Sequence, residues 1–116
     1  MTRKSLRRVV TAGLALTGLM AVSSIASAAG DAAKGEQLYA SQKCSMCHSI
    51  AGKGNAKGSL DGVGSKYSTA DLKAWMVDAK GMTVKTKAAR KPDMKNYTLP
   101  EPDLDALVAY MASLKK

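Results

Sequence analysis

The two cysteines and the single histidine of this chain lie within five residues, as Cys44-Ser45-Met46-Cys47-His48. On a helical turn, residues at positions i, i+3 and i+4 share one face. Two thiols on such a face can add to the two vinyl groups of a haem, and the adjacent imidazole can reach the iron. The motif therefore predicts one covalently attached haem c, bound through Cys44 and Cys47, with His48 as an axial ligand of the iron.

Three other uses of these residues agree less well with the sequence. A thioredoxin-like Cys-x-x-Cys pair requires a βαβ pattern, and the sequence has no alternating strand pattern of useful length. A plain disulfide between Cys44 and Cys47 would give His48 no role. Two cysteines and one histidine are also too few for a four-ligand Cys/His zinc site.

The second axial ligand cannot be another histidine of this chain, because His48 is the only one. Methionine is the usual partner in electron transfer, and it raises the reduction potential relative to two imidazoles. Met46 lies inside the attachment loop, while Met76 and Met111 lie on apolar helix faces and are predicted to be core residues.

Two methionines, Met82 and Met94, therefore remain as candidates in chain predicted to be irregular. Met94 is favoured, because it lies in a loop a few residues before the last helix and could close over the haem.

The first 28 residues have the order of segments that is typical of a secretory signal peptide. A basic start precedes an uncharged stretch over residues 9–22, and Ala26-Ser27-Ala28 supplies small residues for cleavage after Ala28. We therefore predict a signal peptide over residues 1–28 and a single periplasmic domain over residues 29–116, without stable membrane insertion after cleavage. A retained membrane anchor is the alternative, because the uncharged run continues to Gly30.

Composition is consistent with one globular domain that is short of large apolar side chains. The chain has 116 residues, of which 46% are hydrophobic, but only 4% are aromatic and none is Phe. The formal net charge is +9, and removal of the four basic residues of the signal segment lowers it to +5. Export and the haem motif argue against a nucleic-acid partner.

The apolar pattern predicts an all-α fold with three to four short helices and long loops. A first helix is expected from Asp31 to about Ser41 and a Gly-rich loop from Ile50 to Tyr67. A last helix carries Leu104, Leu107, Val108, Met111 and Leu114 on one face.

The capping and apolar patterns in the middle of the chain predict one further helix. A capping box at Ser68–Asp71 opens it, and Leu72, Trp75 and Met76 form its apolar face. Gly81 is expected to end this helix, and residues 83–98 are expected to be mainly loop.

The chain resembles the class I c-type cytochromes, the small monohaem relatives of mitochondrial cytochrome c, over Gly30 to Lys116. The likeness rests on the attachment motif and on weaker features in the expected order, which are Gly35, Tyr39, Leu60-Asp61-Gly62-Val63-Gly64, Tyr67, Leu72, Trp75, Met94 and Leu107-Val108-Ala109-Tyr110-Met111. The resemblance implies a cytochrome c fold around one covalently bound haem. It also supports Met94 over Met82 as the second axial ligand.

The resemblance makes further expectations about single residues. The first and last helices should cross with Gly35 against Leu107 and Tyr110. The family usually has a proline before the Leu of its Gly-rich loop, where a backbone carbonyl orients the haem histidine. Here Gly58-Ser59 occupies that place, so one of these two carbonyls is expected to accept from His48.

Two side chains have two interpretations each. Tyr67 and Trp75 could hydrogen-bond a haem propionate, as similar positions do in some relatives, or they could simply pack in the core.

A haem with both axial positions filled implies an electron carrier rather than an enzyme. The alternatives are a haem subunit of a larger periplasmic oxidoreductase and a ligand-binding haem protein with an open sixth site. We expect a monomer whose partners are redox proteins with acidic docking surfaces. The lysines expected to surround the haem are Lys43, Lys53, Lys57, Lys85, Lys87, Lys91 and Lys95.

Overall fold

The computed structural model describes the backbone from Ile25 to Lys116 and the side chains from Asp31 onward. The predicted signal peptide lies outside the described residues, apart from residues 25–28. Within the described residues there are five helices, and no helix is long and apolar enough to cross a membrane. The helices are α1 (Ile25–Ser41), α2 (Val63–Lys66), α3 (Thr69–Val77), α4 (Ala79–Thr86) and α5 (Glu101–Ser113).

The predicted all-α class is confirmed, although the elements differ in detail. The Gly-rich region contains a small antiparallel hairpin, in which β1 (Ser49–Ile50) pairs with β2 (Lys53–Gly54). A short 3₁₀ turn, Ala56–Gly58, and helix α2 follow the hairpin. These two-residue strands and single turns are too short to leave a periodic signal in the sequence.

The largest helix contact joins α1 to α5, and it is possible because α1 has a glycine at the crossing. A Cβ atom at position 35 would collide with the carbonyl oxygen of Ala106 and with Cβ of Tyr110. The expected contact with Tyr110 is therefore confirmed, and the nearest backbone atom is the carbonyl oxygen of Ala106. An ion pair of 2.6 Å between Lys34 and Asp103 lies across the same two helices.

Helix α3 begins as the sequence predicts but ends earlier. The Ser68 side chain accepts from the backbone amide of Asp71 at 3.1 Å, which is the predicted N-terminal cap. The helix stops at Val77, and a second helix begins at Ala79 after the break at Asp78. Gly81 therefore does not end a helix, because it lies inside α4, where its amide donates to Asp78.

The last helix packs on both α1 and α3 and contributes half of the buried apolar side chains of the described residues. It begins after Pro100 without a side-chain cap, and Pro102 lies in its first turn, where proline is tolerated. Lys73 of α3 joins it through ion pairs to Glu101 (2.7 Å) and Asp105 (3.2 Å). The core cluster is Tyr39, Leu72, Met76, Leu104, Leu107, Val108 and Met111.

The close crossing of α1 and α5 predicts that replacing Gly35 by alanine destabilises the protein, although alanine is the better helix former. Gly35→Ala should lower the free energy of unfolding by about 1–3 kcal/mol, because the new methyl group has no space between the helices. Helix propensity alone would raise it by about 0.5–1 kcal/mol. Chemical denaturation of the haem-containing protein measures the change.

The exposed position Ala33 in the same helix provides the control, since Ala33→Gly changes propensity without changing packing. That variant should lose only about 0.5–1 kcal/mol. A Gly35→Ala protein more stable than the parent would contradict the close approach.

Candidate haem site

The attachment motif forms a tight turn that brings its three functional residues to one side. Cys44–Met46 is a 3₁₀ helix that follows Lys43, a residue with a left-handed backbone (φ 56°). The amides of Cys47 and His48 both donate to the carbonyl of Cys44, at 3.1 and 2.9 Å. The predicted helical turn is therefore present, and both thiols and the imidazole line the same cavity.

The two thiols differ in their surroundings. Both are free, and Cys44 is half-buried whereas Cys47 is exposed. Burial raises the pKa of the Cys44 thiol above its ordinary value. Both thiols therefore line the cavity, and Cys47 is the more accessible to solvent.

His48 is held by a backbone carbonyl through one of its two ring nitrogens. Its Nδ1 lies 3.0 Å from the carbonyl oxygen of Gly58. Because a carbonyl can only accept, Nδ1 carries the proton and Nε2 presents its lone pair. Burial lowers the pKa of His48, and the nearby charge of Arg90 lowers it further, against the opposing effect of the Gly58 bond. The imidazole is therefore kept neutral and able to bind a metal ion.

From the sequence, either the Gly58 or the Ser59 carbonyl could accept from His48, and in the structure it is the Gly58 carbonyl. No side chain fits at this position, because a Cβ atom would collide with Nη1 of Arg90 and with the carbonyl oxygen of Cys47. Arg90 packs over the glycine from 32 residues further along the chain. Where the family that this chain resembles usually has a proline, the loop thus has a glycine covered by the guanidinium group of Arg90.

The methionines differ in which of them line the cavity and in whether a helix or irregular chain carries them. Met94 lies in irregular chain and lines the cavity. Met82 is 4% exposed inside α4 and is not among the cavity-lining residues, so its expected place in a loop was wrong. Met76 and Met111 are buried as predicted, and both also contribute to the cavity wall.

The cavity has a volume of about 570 Å³ and mostly apolar walls. This volume lies within the range of about 300–1,000 Å³ that is usual for ligand and cofactor sites. Tyr67 and Trp75 form part of the wall and contact each other edge to face, with ring centroids 6.4 Å apart. Among the described residues Trp75 Nε1 is buried without a hydrogen-bond partner, so a polar group of a bound ligand could accept from it.

These observations together fit a haem. A neutral imidazole nitrogen and a thioether sulfur line one apolar cavity, and two thiols lie beside the imidazole. An unpartnered indole N–H provides a polar contact inside the wall. A metal ion held by side chains alone does not fit, because residues 31–116 contain no cluster of three or more Cys, His, Asp or Glu side chains.

The lysines around the cavity are fewer than the sequence suggests. Of the seven that we expected to surround the haem, Lys43 and Lys95 line the cavity. Lys85 and Lys91 form ion pairs with Asp71 (2.8 Å) and Asp93 (2.7 Å). Two basic residues that were not expected there, Lys66 and Arg90, also line it.

Three residues of the site gave no local signal in the sequence. Arg90 packs on Gly58, Tyr97 lines the cavity, and Asn96 accepts from the amide of Ala79 at 2.9 Å. Each acts across more than 15 residues of sequence, so no motif or periodicity could indicate it.

The fold and the site define a helical protein with a covalent haem-attachment turn and an apolar cavity beside it. Residues 32–115 match the family model described as cytochrome c, and the chain belongs to that family. It therefore carries covalently bound haem c and is a haem-based electron carrier. No match was found among curated proteins or among solved structures.

The contact between His48 and Gly58 gives a testable consequence. Gly58→Ala should lower the free energy of unfolding of the haem-containing protein by about 1–3 kcal/mol, because the Cys47 carbonyl cannot move away from a new methyl group. Chemical denaturation measures this loss. Lys57→Ala, at an exposed neighbouring position, should change stability by less than about 0.5 kcal/mol. Equal stabilities of the two variants would argue against the collision.

Proposed function

We propose that this chain is a periplasmic class I c-type cytochrome that transfers single electrons between redox proteins. In this proposal Cys44 and Cys47 form the two thioether bonds, and His48 and Met94 are the axial ligands. The observation that carries it is the convergence of two thiols, one neutral imidazole and the Met94 thioether on a single apolar cavity.

The support for His48 is its hydrogen bond to Gly58. A metal-binding histidine usually donates its other ring N–H to a carbonyl or carboxylate, which fixes the ring orientation and makes the free nitrogen more basic. The 3.0 Å contact of Nδ1 with the Gly58 carbonyl has this form. It leaves Nε2 as the ligand atom.

The support for Met94 is that it lines the cavity from irregular chain, whereas Met76 and Met111 line it from buried positions inside helices. Met82 was the other candidate, and it lies within α4, where its side chain is 4% exposed and Thr86 donates to its carbonyl at 2.8 Å. A side chain packed in that way would have to leave a helix interior to reach the cavity. Met94 needs no such rearrangement.

The bound haem would supply one-electron cycling between ferric and ferrous iron. The residues of the chain would hold both axial positions and keep water away from the iron. Since neither axial position is vacant in this arrangement, small ligands such as oxygen have no open site. Transfer of electrons, with little movement of the surrounding atoms, is the activity that remains.

We place the protein in the periplasm on the basis of residues 1–28, which have the sequence pattern of an export signal. Cleavage after Ala28 would shorten α1 by four residues. The helix would keep Gly35 and Tyr39, which form its contacts with α5 and the core.

The axial assignment can be tested by absorption spectroscopy of the oxidised protein. Met94→Ala should abolish the long-wavelength charge-transfer band of a methionine-ligated ferric haem and convert the iron from low spin. Met82→Ala is the matched control, and it should retain the band while losing about 2–5 kcal/mol of stability as a buried truncation. Loss of the band in Met82→Ala with retention in Met94→Ala would overturn the assignment.

Docking to acidic partners is the final part of the proposal. Four basic side chains line the cavity and a single acidic one does, Asp93, which is paired with Lys91. A positive rim of this kind attracts acidic surfaces over about 10 Å at 0.1 M salt. We expect the protein to act as a monomer that forms brief complexes.

Electrostatic steering predicts a charge-dependent reaction rate. Oxidation of the ferrous protein by anionic ferricyanide should slow as ionic strength rises, whereas oxidation by cationic tris(phenanthroline)cobalt(III) should accelerate. Replacing both Lys43 and Lys95 by Gln should slow the ferricyanide reaction roughly threefold to tenfold at low salt. Stopped-flow absorbance measures these rates.

The control is a second double variant with the same change in net charge, Lys80→Gln with Lys115→Gln. Both positions are exposed and neither lines the cavity. If the two double variants slow the ferricyanide reaction equally, net charge rather than the cavity rim governs the rate. That result would contradict the proposed docking surface.

A further inference from the structure

The break between α3 and α4 leaves backbone groups without hydrogen-bond partners inside either helix. The last carbonyls and the first amides of a helix lack partners within it. The carbonyl of Met76 belongs to the end of α3, and the amide of Ala79 to the start of α4. Ala79 is 0% exposed, so its amide requires a partner from the protein.

Both groups are satisfied by the segment that carries Met94. The amide of Tyr97 donates to the Met76 carbonyl at 2.7 Å. The side-chain oxygen of Asn96 accepts from the amide of Ala79 at 2.9 Å. The helix junction and the Met94 segment therefore complete each other.

Few hydrogen bonds join the backbone of the Met94 segment, residues 89–99, to the rest of the protein. Residues 89–99 contain no helix or strand, and within the described chain the bond from Tyr97 is the one backbone hydrogen bond that joins them to another element. Two further polar contacts are local, namely the Lys91–Asp93 ion pair and Lys95 over the Tyr97 ring at 5.0 Å. Side chains at the two ends of the segment also pack on other elements, Arg90 on Gly58 and Leu99 on the core. Between them, the side chain of Asn96 is the anchor that joins the segment to the start of α4.

We propose that Asn96 is a positioning residue for the axial methionine. By binding the start of α4, it holds Met94, two residues away, against the iron and resists its displacement. The proposal rests on the role of Met94 proposed above. An external ligand can enter only when Met94 withdraws, and withdrawal of the segment breaks the bond between Asn96 and Ala79.

The test is a titration of the ferric haem-containing protein with imidazole, followed by loss of the methionine charge-transfer band. Asn96→Ala should bind imidazole about threefold to tenfold more tightly than the parent, which corresponds to the net contribution of one hydrogen bond. Asn96→Asp keeps an acceptor oxygen at a helix N-terminus and should restore the parental affinity to within about twofold.

Two controls separate positioning from general stability. Thr98→Ala changes an exposed residue of the same segment and should leave the affinity unchanged. Leu104→Ala removes a buried side chain of α5, so it should lower resistance to denaturant without tightening imidazole binding. Amide hydrogen exchange at Ala79 should be faster in Asn96→Ala than in Thr98→Ala.

The outcomes distinguish this proposal from the one on which it rests. If Met94→Ala retains the charge-transfer band, the axial assignment fails and the role of Asn96 fails with it. If Met94→Ala loses the band but Asn96→Ala binds imidazole with parental affinity, only the role of Asn96 is overturned. Equal tightening in Leu104→Ala and Asn96→Ala would also overturn it, because the effect would then follow stability alone.

Discussion

The central cavity is the constraint on which the rest of the fold depends. The chain has no Phe and few other aromatic residues, and among residues 31–116 Leu107 is the largest side chain that is buried completely. The core side chains Leu72, Met76 and Met111 all contribute to the cavity wall. The apolar interior is therefore closed by the haem as much as by protein, which couples haem attachment to the stability of the helices.

The glycine crossing, the end of α3 and the carbonyl of Gly58 determine where the two candidate axial ligands lie. The crossing at Gly35 fixes α5 against α1, and α5 provides the surface on which α3 packs. The end of α3 then provides the hydrogen-bond acceptor for Tyr97. For the other candidate, Gly58 supplies the carbonyl that binds His48. Each axial candidate is thus held by a backbone group whose own position depends on packing elsewhere.

Local features of the sequence predicted the attachment turn, the cap at Ser68 and the apolar face of α5, because each is encoded within a few residues. Helix α4 escaped prediction for a physical reason. Its sequence contains a glycine and β-branched residues, and it is stabilised at its start by Asp78 and by the distant Asn96. The cover that Arg90 provides for Gly58 was equally invisible, since it joins residues far apart in the chain.

The methionines of the cavity wall affect the reorganisation energy of electron transfer. Met46, Met76, Met94 and Met111 all line the space, and thioether sulfur is among the most polarisable groups in proteins. Such a wall responds to a change of charge by displacement of its electrons, which is immediate and requires no atom to move. A polarisable wall of this kind lowers the energy needed to rearrange the surroundings of a bound haem, so an electron can enter or leave while the nuclei remain nearly in place.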